Sequence, residues 1–152
     1  HNMNDDVCKD SCVEFFIKPK PDSDSRYFNF EMNSVGTLLS GLGDSRYDRE
    51  RIILDNPFEI FGISTSVTKD TVESYNKSES QSKFWAVEYS IPFTFIERYF
   101  GKLNIRPGYR LEGNFYKCGD ETKFPHFGCW NPIKVESPDF HRPEFFGDLI
   151  LE

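Results

Sequence analysis

Apolar and polar residues alternate with a period of two along much of the chain, the pattern of strands that bury one face. Residues 12–18 set Val13, Phe15 and Ile17 on one face and Glu14, Phe16 and Lys18 on the other, so a carboxylate and an ammonium share a side. Residues 26–33 alternate most cleanly, with Phe28, Phe30 and Met32 against Tyr27, Asn29, Glu31 and Asn33. Further strands are predicted over 61–69 (Phe61, Ile63, Thr65 and Val67 aligned) and 84–91 (Trp85, Val87, Tyr89 and Ile91 opposite Ala86, Glu88 and Ser90). A third is predicted over 109–117, with Tyr109, Leu111, Gly113 and Phe115 against Arg110, Glu112, Asn114 and Tyr116. Residues 37–42 predict a shorter strand, 51–60 an irregular piece interrupted by Pro57, and the C-terminal residues a short apolar strand. Only residues 93–101 break the period: their apolar spacing is near-helical and Gly101 is a stop, which predicts a short helix. The stretches 18–25, 43–50 and 74–83 are polar and turn-rich and predict connections.

Many short strands between turn signals predict an all-β chain, an antiparallel, jelly-roll-like β-sandwich with one or two short helices. Composition supports this. Sixteen phenylalanines and seven tyrosines favour strands, while alanine, the best helix former, is nearly absent. The 152 residues suit a single domain, 1–152, with Val13, Phe15, Phe28, Phe30, Trp85, Val87 and Leu149 in its core. No apolar run is long enough for a membrane span. A net charge of −7, without clustered Lys and Arg, argues against a nucleic-acid partner.

Candidate chemistry is sparse. Cys8, Cys12, Cys118 and Cys129 permit three disulfide pairings, but no metal-binding CxxC spacing occurs. Cys8 and Cys12 lie about 13 Å apart along an extended strand, beyond disulfide reach. If the chain is oxidised, Cys118 with Cys129 is the expected pair, since turns between them let the chain return; four reduced thiols are the alternative. Trp130 stands in a loop rich in Pro, Gly and His. It is either a core plug or a platform for a flat, weakly polar ligand such as a sugar ring.

Three segments resemble carbohydrate-binding module family 9, the sugar-binding β-sandwich modules, and relatives in secreted bacterial proteins. They are Asp10-Ser11-Cys12-Val13-Glu14-Phe15-Phe16-Ile17, Trp85-Ala86-Val87-Glu88-Tyr89-Ser90-Ile91-Pro92-Phe93, and the tail from Trp130 through Phe140-His141-Arg142-Pro143 to Phe146-Gly147-Asp148-Leu149. The resemblance implies non-catalytic binding of a mono- or oligosaccharide, a secreted, periplasmic or cell-surface location, and attachment to a glycan-degrading enzyme. It also implies further strands upstream of the first segment, missing from this chain or supplied elsewhere. In this family a sugar is held between two aromatic plates while charged or amide groups bind its hydroxyls. Trp130 resembles one plate, and Glu14 and Lys18 match polar contact positions; Arg110, Glu112 and Asn114 on one strand face offer a rim. Cys8 or Val7 stands where the second plate is expected, which makes Tyr47 or Tyr116 a substitute plate or leaves the site weakened. Family members carry structural calcium, for which Asp5-Asp6 and the stretch Asp44 to Asp48 offer oxygens.

Three other functions compete. A glycosidase would use a carboxylate pair such as Glu14 and Glu112. A haem-binding sandwich would draw its ligands from Met32, His126 and His141. A protein-interaction sandwich would keep the fold and lose the sugar site.

Overall fold

A computed structural model describes residues 5–78 and 84–152. Nine antiparallel strands are described: β1 (Cys12–Lys18), β2 (Tyr27–Asn33), β3 (Leu38–Gly43), β4 (Arg49–Arg51), β5 (Ser64–Thr65), β6 (Val87–Glu88), β7 (Arg110–Gly119), β8 (His126–Cys129) and β9 (Gly147–Ile150). Seven of them form one sheet in the order β4-β3-β2-β1-β7-β8, with β9 also on β7; β5 and β6 form a two-stranded second sheet. The all-β sandwich is therefore lopsided, a broad sheet faced by a slight second layer completed with helices.

The helices obey their local signals. The helix α1 (Pro57–Phe61) starts on Pro57, which suits a first helical turn because its missing N–H has no acceptor there to lose. It ends on Gly62 in the left-handed conformation (φ 59°). The helix α2 (Val72–Lys77) buries none of its residues. The helix α3 (Phe93–Phe100) is the one predicted from apolar spacing, and it buries Phe95, Ile96 and Phe100. Among the described residues there are thus three α-helices where the pattern allows for one or two, besides short 3-10 turns at Val7–Lys9 and Pro143–Phe145.

The predicted strands at 61–69 and 84–91 contract to β5 and β6, two residues each. Alternation there reflects half-burial against the broad sheet, since each two-residue strand has only the other to pair with. The polar run 43–50 hides the start of β4, an edge strand rich in charge, as edges tend to be. The first four residues of the predicted connection at 74–83 belong to α2, and its last five lie outside the described residues.

The core sits between the broad sheet and the second layer. Phe28, Phe30, Met32 and Ile17 meet Phe61, Phe95, Ile96 and Phe100 there, and Phe95 packs edge-to-face on Phe61 with ring centroids 5.0 Å apart. Of the seven predicted core residues, Phe28 and Phe30 are fully buried; Phe15, Val87 and Leu149 pack against the core from its margin. Val13 and Trp85 are half-buried, and Trp85 uses its indole N–H to donate to Ser11 Oγ at 3.1 Å. The reason is coverage. The second layer stops short of β1, β7 and β9, leaving an apolar groove of about 720 Å³ lined by Val13, Phe15, Leu111, Phe115 and Leu149.

Candidate functional site

The other face of the broad sheet carries the polar chemistry. Every residue of β2 is buried, so the face presenting Tyr27, Asn29, Glu31 and Asn33 is covered as well. Its cover is irregular chain: the turn at Val7–Lys9 and the C-terminal segment through Phe140, His141 and Phe146. Phe16 stacks with Tyr27 and contacts His141 and Phe146, while Tyr116 stacks flat on Phe140 at 4.2 Å. Between sheet and cover lies a cavity of about 370 Å³.

Two buried carboxylates form its floor. The register places Glu14 of β1 directly opposite Glu31 of β2, and their side chains are 6 % and 5 % exposed as residues. Glu31 accepts from Asn29 Nδ2 at 2.9 Å and lies 3.5 Å from the Arg49 guanidinium. Glu14 accepts from the Cys118 thiol at 3.0 Å, and no ion pair to it is found among the described residues. Burial raises the pKa of both carboxyls. For Glu14 the nearby Glu31 raises it further; for Glu31 the Arg49 charge works against burial.

His141 spans the wall. Its Nδ1 is 2.8 Å from the Tyr27 hydroxyl and its Nε2 is 2.9 Å from Arg49 Nη1, so both ring nitrogens are engaged. Burial, then the positive charges of Arg49 and Arg46, hold its pKa down to about 3, and the ring is neutral at pH 7. Because Arg49 can only donate, Nε2 is the acceptor and Nδ1 carries the proton toward the Tyr27 oxygen. Burial also pushes the Tyr27 hydroxyl and the Cys8 thiol up to about 12 each. Arg46, Asp120, Phe127 and Cys8 complete the mouth, with Arg46 held by Asp139 at 3.1 Å and Phe127 half exposed.

Of the five predicted ligand-binding residues, Glu14 alone lines this cavity. Lys18 shares its face but sits four residues along β1, about 13 Å away, opposite Glu112. Arg110 lies farther, at the other end of β7, bound to Asp148, Asp22 and Glu112. Asn114 is completely buried and braces the chain beyond β8: its Nδ2 donates to Asn131 O at 2.9 Å and its Oδ1 accepts from Asn131 N at 2.8 Å. It has no free edge for a ligand. Trp130 is 54 % exposed, beside Phe115 and over Gly147. The five do not converge.

The substitute plates also separate. Tyr47 is 95 % exposed, and Tyr116 is buried with its hydroxyl donating to Phe140 O. Cys8 does line the cavity, at the place the family resemblance gives to an aromatic, while Val7 is buried. Glu31, Arg49, Phe127 and Phe140 were not singled out as site residues. The alternation did put Glu31 on the polar face of its strand; what it lacks is the register that sets Glu31 beside Glu14.

The cysteines correct another expectation. All four are free, and β7 pairs Cys118 with Phe127 and Tyr116 with Cys129, so Cys118 and Cys129 do not face each other. Across the other edge of β7, Cys118 faces Cys12. The haem reading finds no geometry either, since Met32 belongs to the core face and His141 to the opposite one. Glu14 and Glu112 are separated by four strand positions, about 13 Å, which exceeds the spacing of a glycosidase pair. The carboxylates offered for calcium do not gather into a ligand cluster among the described residues, and Asp6 is paired with Arg51 at 3.0 Å.

A broad antiparallel sheet with a slight second layer makes this a β-sandwich, and the small polar cavity on its covered outer face is its candidate site. The chain belongs to carbohydrate-binding family 9, whose model matches residues 1–151. It is also similar to a crystal structure of a candidate carbohydrate-binding protein from Bacteroides uniformis, with 31 % identity and a TM-score of 0.74. That likeness covers 99 % of this chain and 65 % of the other, so the chain spans about two thirds of that protein's length. No curated protein matches. The family and fold implied by the three resembling segments are both borne out, and no described helix is long and apolar enough to cross a membrane.

Proposed function

We propose that the chain is a non-catalytic module that binds a mono- or oligosaccharide in the cavity between the polar sheet face and the C-terminal segment. The observation that carries this reading is the pairing of an aromatic wall with fixed polar groups. Phe127, edge-on to Phe140, offers an apolar surface at the mouth. Arg46, Arg49 and Asp120 line the same cavity and offer donors and an acceptor suited to ring hydroxyls. Sugar rings present apolar C–H faces and a hydroxyl rim, so this combination suits them. The cavity is large enough for a single ring with solvent. Membership of the family supports the ligand class, and the role in capturing glycans for a degrading enzyme outside the cell extends the same reading.

A net of about 0.5–1.5 kcal/mol per hydrogen bond makes such a site modest in affinity, on the order of 0.1 mM. A glycan array followed by calorimetry tests it. Phe127→Ala should weaken binding by tenfold or more, whereas Trp130→Ala should leave it unchanged. The reverse result moves the site to Trp130, on the other side of β7. Absence of any glycan ligand overturns the reading and favours a protein-interaction module, for which the exposed apolar groove of Val13, Phe15 and Phe115 is the supporting feature.

A further inference from the structure

At the floor of the cavity Glu14 and Cys118, and beneath them the fully buried Cys12, bring their ligand atoms within 4.8 Å of one another. The arrangement follows from strand geometry. Cys12 and Glu14 are two apart on β1 and so share a face, and Cys118 is the residue directly opposite Cys12 on β7. All three side chains are buried, and they project from the two central strands of the sheet rather than from loops. Val7 and Leu39 pack around the two sulfurs.

Three facts about this cluster go together. It contains two soft sulfur donors and one carboxylate, a set that selects zinc-like ions over calcium or magnesium. It carries a buried carboxylate with no cationic partner among the described residues, next to a second carboxylate whose guanidinium is already committed. It opens on the cavity, because Glu14 and Cys118 also line it. Four ligands at Zn–S distances of about 2.3 Å lie roughly 3.8 Å apart at the corners of a tetrahedron. The present spread, from 3.0 Å between Cys118 Sγ and Glu14 Oε1 up to the limit of 4.8 Å, brackets that edge.

We propose that Cys12, Cys118 and Glu14 bind one thiophilic divalent cation of the zinc class, with a water in the cavity as fourth ligand. The ion replaces protons: one leaves each sulfur, any proton held by Glu14 leaves with them, and two thiolates with the carboxylate then carry the dication to a net charge of −1. This site stands whether or not the cavity takes a sugar.

The test is a titration of the reduced, metal-free protein with Co²⁺. Saturation at one equivalent, with thiolate-to-cobalt charge-transfer bands, intense visible bands of tetrahedral coordination and release of about two to three protons per ion, is the expected result. Zn²⁺ should bleach the visible bands. Cys12→Ser and Cys118→Ser should each lower affinity by about 100-fold or more, and Glu14→Gln by about tenfold, on the scale by which ligand-shell changes act. Cys129→Ser, an exposed thiol away from the cluster, should change nothing. Circular dichroism of each variant separates lost ligation from lost fold, and Glu14→Gln keeps the side-chain volume if the cysteine variants do not fold. No cobalt bands in the reduced wild type, bands retained in Cys118→Ser, or a native Cys12–Cys118 disulfide that leaves only two titratable thiols overturns the proposal.

Discussion

On one face of the broad sheet, Phe28, Phe30 and Met32 meet α1 and α3 through packed rings; one residue along the same strand, Tyr27, Asn29 and Glu31 face the opposite way and are just as buried. The first face is covered by regular elements and needs only shape. The second is covered by irregular chain, so its polar groups must find partners one by one: Glu31 with Asn29 and Arg49, His141 with Tyr27 and Arg49, Asn114 with Asn131. The difference teaches that burial alone does not mark a core. What separates the faces is whether a buried group is satisfied by packing or by a specific partner, and only the latter leaves directional groups for a ligand.

The sharpest way to break the contrast is to remove a ring from the apolar face. Phe30→Ala should cost about 3–5 kcal/mol, from lost transfer energy plus a cavity that aromatic neighbours cannot fill, as measured by denaturant unfolding. On the polar face the corresponding loss is a partner. Arg49→Met should cost about 2 kcal/mol, below the range for fully buried pairs because Arg49 is 26 % exposed. Most of that should return in the double variant Arg49→Met/Glu31→Gln, which no longer leaves a buried carboxylate alone. A double variant as unstable as the single one would show that Arg49 acts through its stem and not its charge.

These contrasts also set how much was legible in the sequence. Period-two alternation exposed β1, β2 and β7 and even sorted their two faces, because each lies in the middle of the sheet with both faces constrained. It overextended β5 and β6, which alternate for a different reason, half-burial in a thin layer. It missed β8, whose four residues are exposed and carry no pattern. For the site, the parity of Glu14 was readable, and so was the polar character of Asn29 and Glu31. Register was not. Which polar residue stands beside Glu14 depends on pairings between segments far apart in the chain, and the same ignorance put Lys18, Arg110 and Asn114 in one rim when they occupy separate stations along the strands.

A smaller effect sharpens the polar side through pH. The neutral His141 ring has a folded pKa near 3 against about 6.5 unfolded. Between those values the unfolded state binds the extra proton, so this residue's share of stability is complete above about pH 6.5 and falls as pH drops toward 3. Tyr27, Arg49 and Arg46 face the ring, and Asp139 holds its backbone N–H. The raised carboxyls Glu14 and Glu31 act with the opposite sign. The comparison of wild type with His141→Gln therefore isolates the histidine: the thermal midpoint of the wild type should fall more steeply between pH 6.5 and 4. Parallel midpoints in the two proteins would remove His141 as the source.

The smallest predicted change lies at the seam. A Cβ on Gly147 would sit 2.8 Å from the Trp130 ring, so Gly147→Ala should displace the indole and alter its fluorescence, with stability changed by about 1 kcal/mol or less. An unaltered spectrum would mean that Trp130 already turns away from β9.

The free edge of β7 is shared by two short strands placed end to end, β9 along Arg110–Gly113 and β8 along Tyr116–Gly119, while its other edge is filled by β1. In the order of synthesis this has a temporal meaning. The strand at the centre of the sheet, β1, is made well before its partner β7, and Glu14 waits 104 residues for Cys118. The last strand closes the ladder only after the chain through Ile150 is available. Such long-range closure pays its loop entropy before any contact returns it, which places folding of this sheet in the slow range of milliseconds to seconds. Until Phe140 and His141 arrive, the paired β1 and β2 lack the cover of their polar face, and the cavity cannot form.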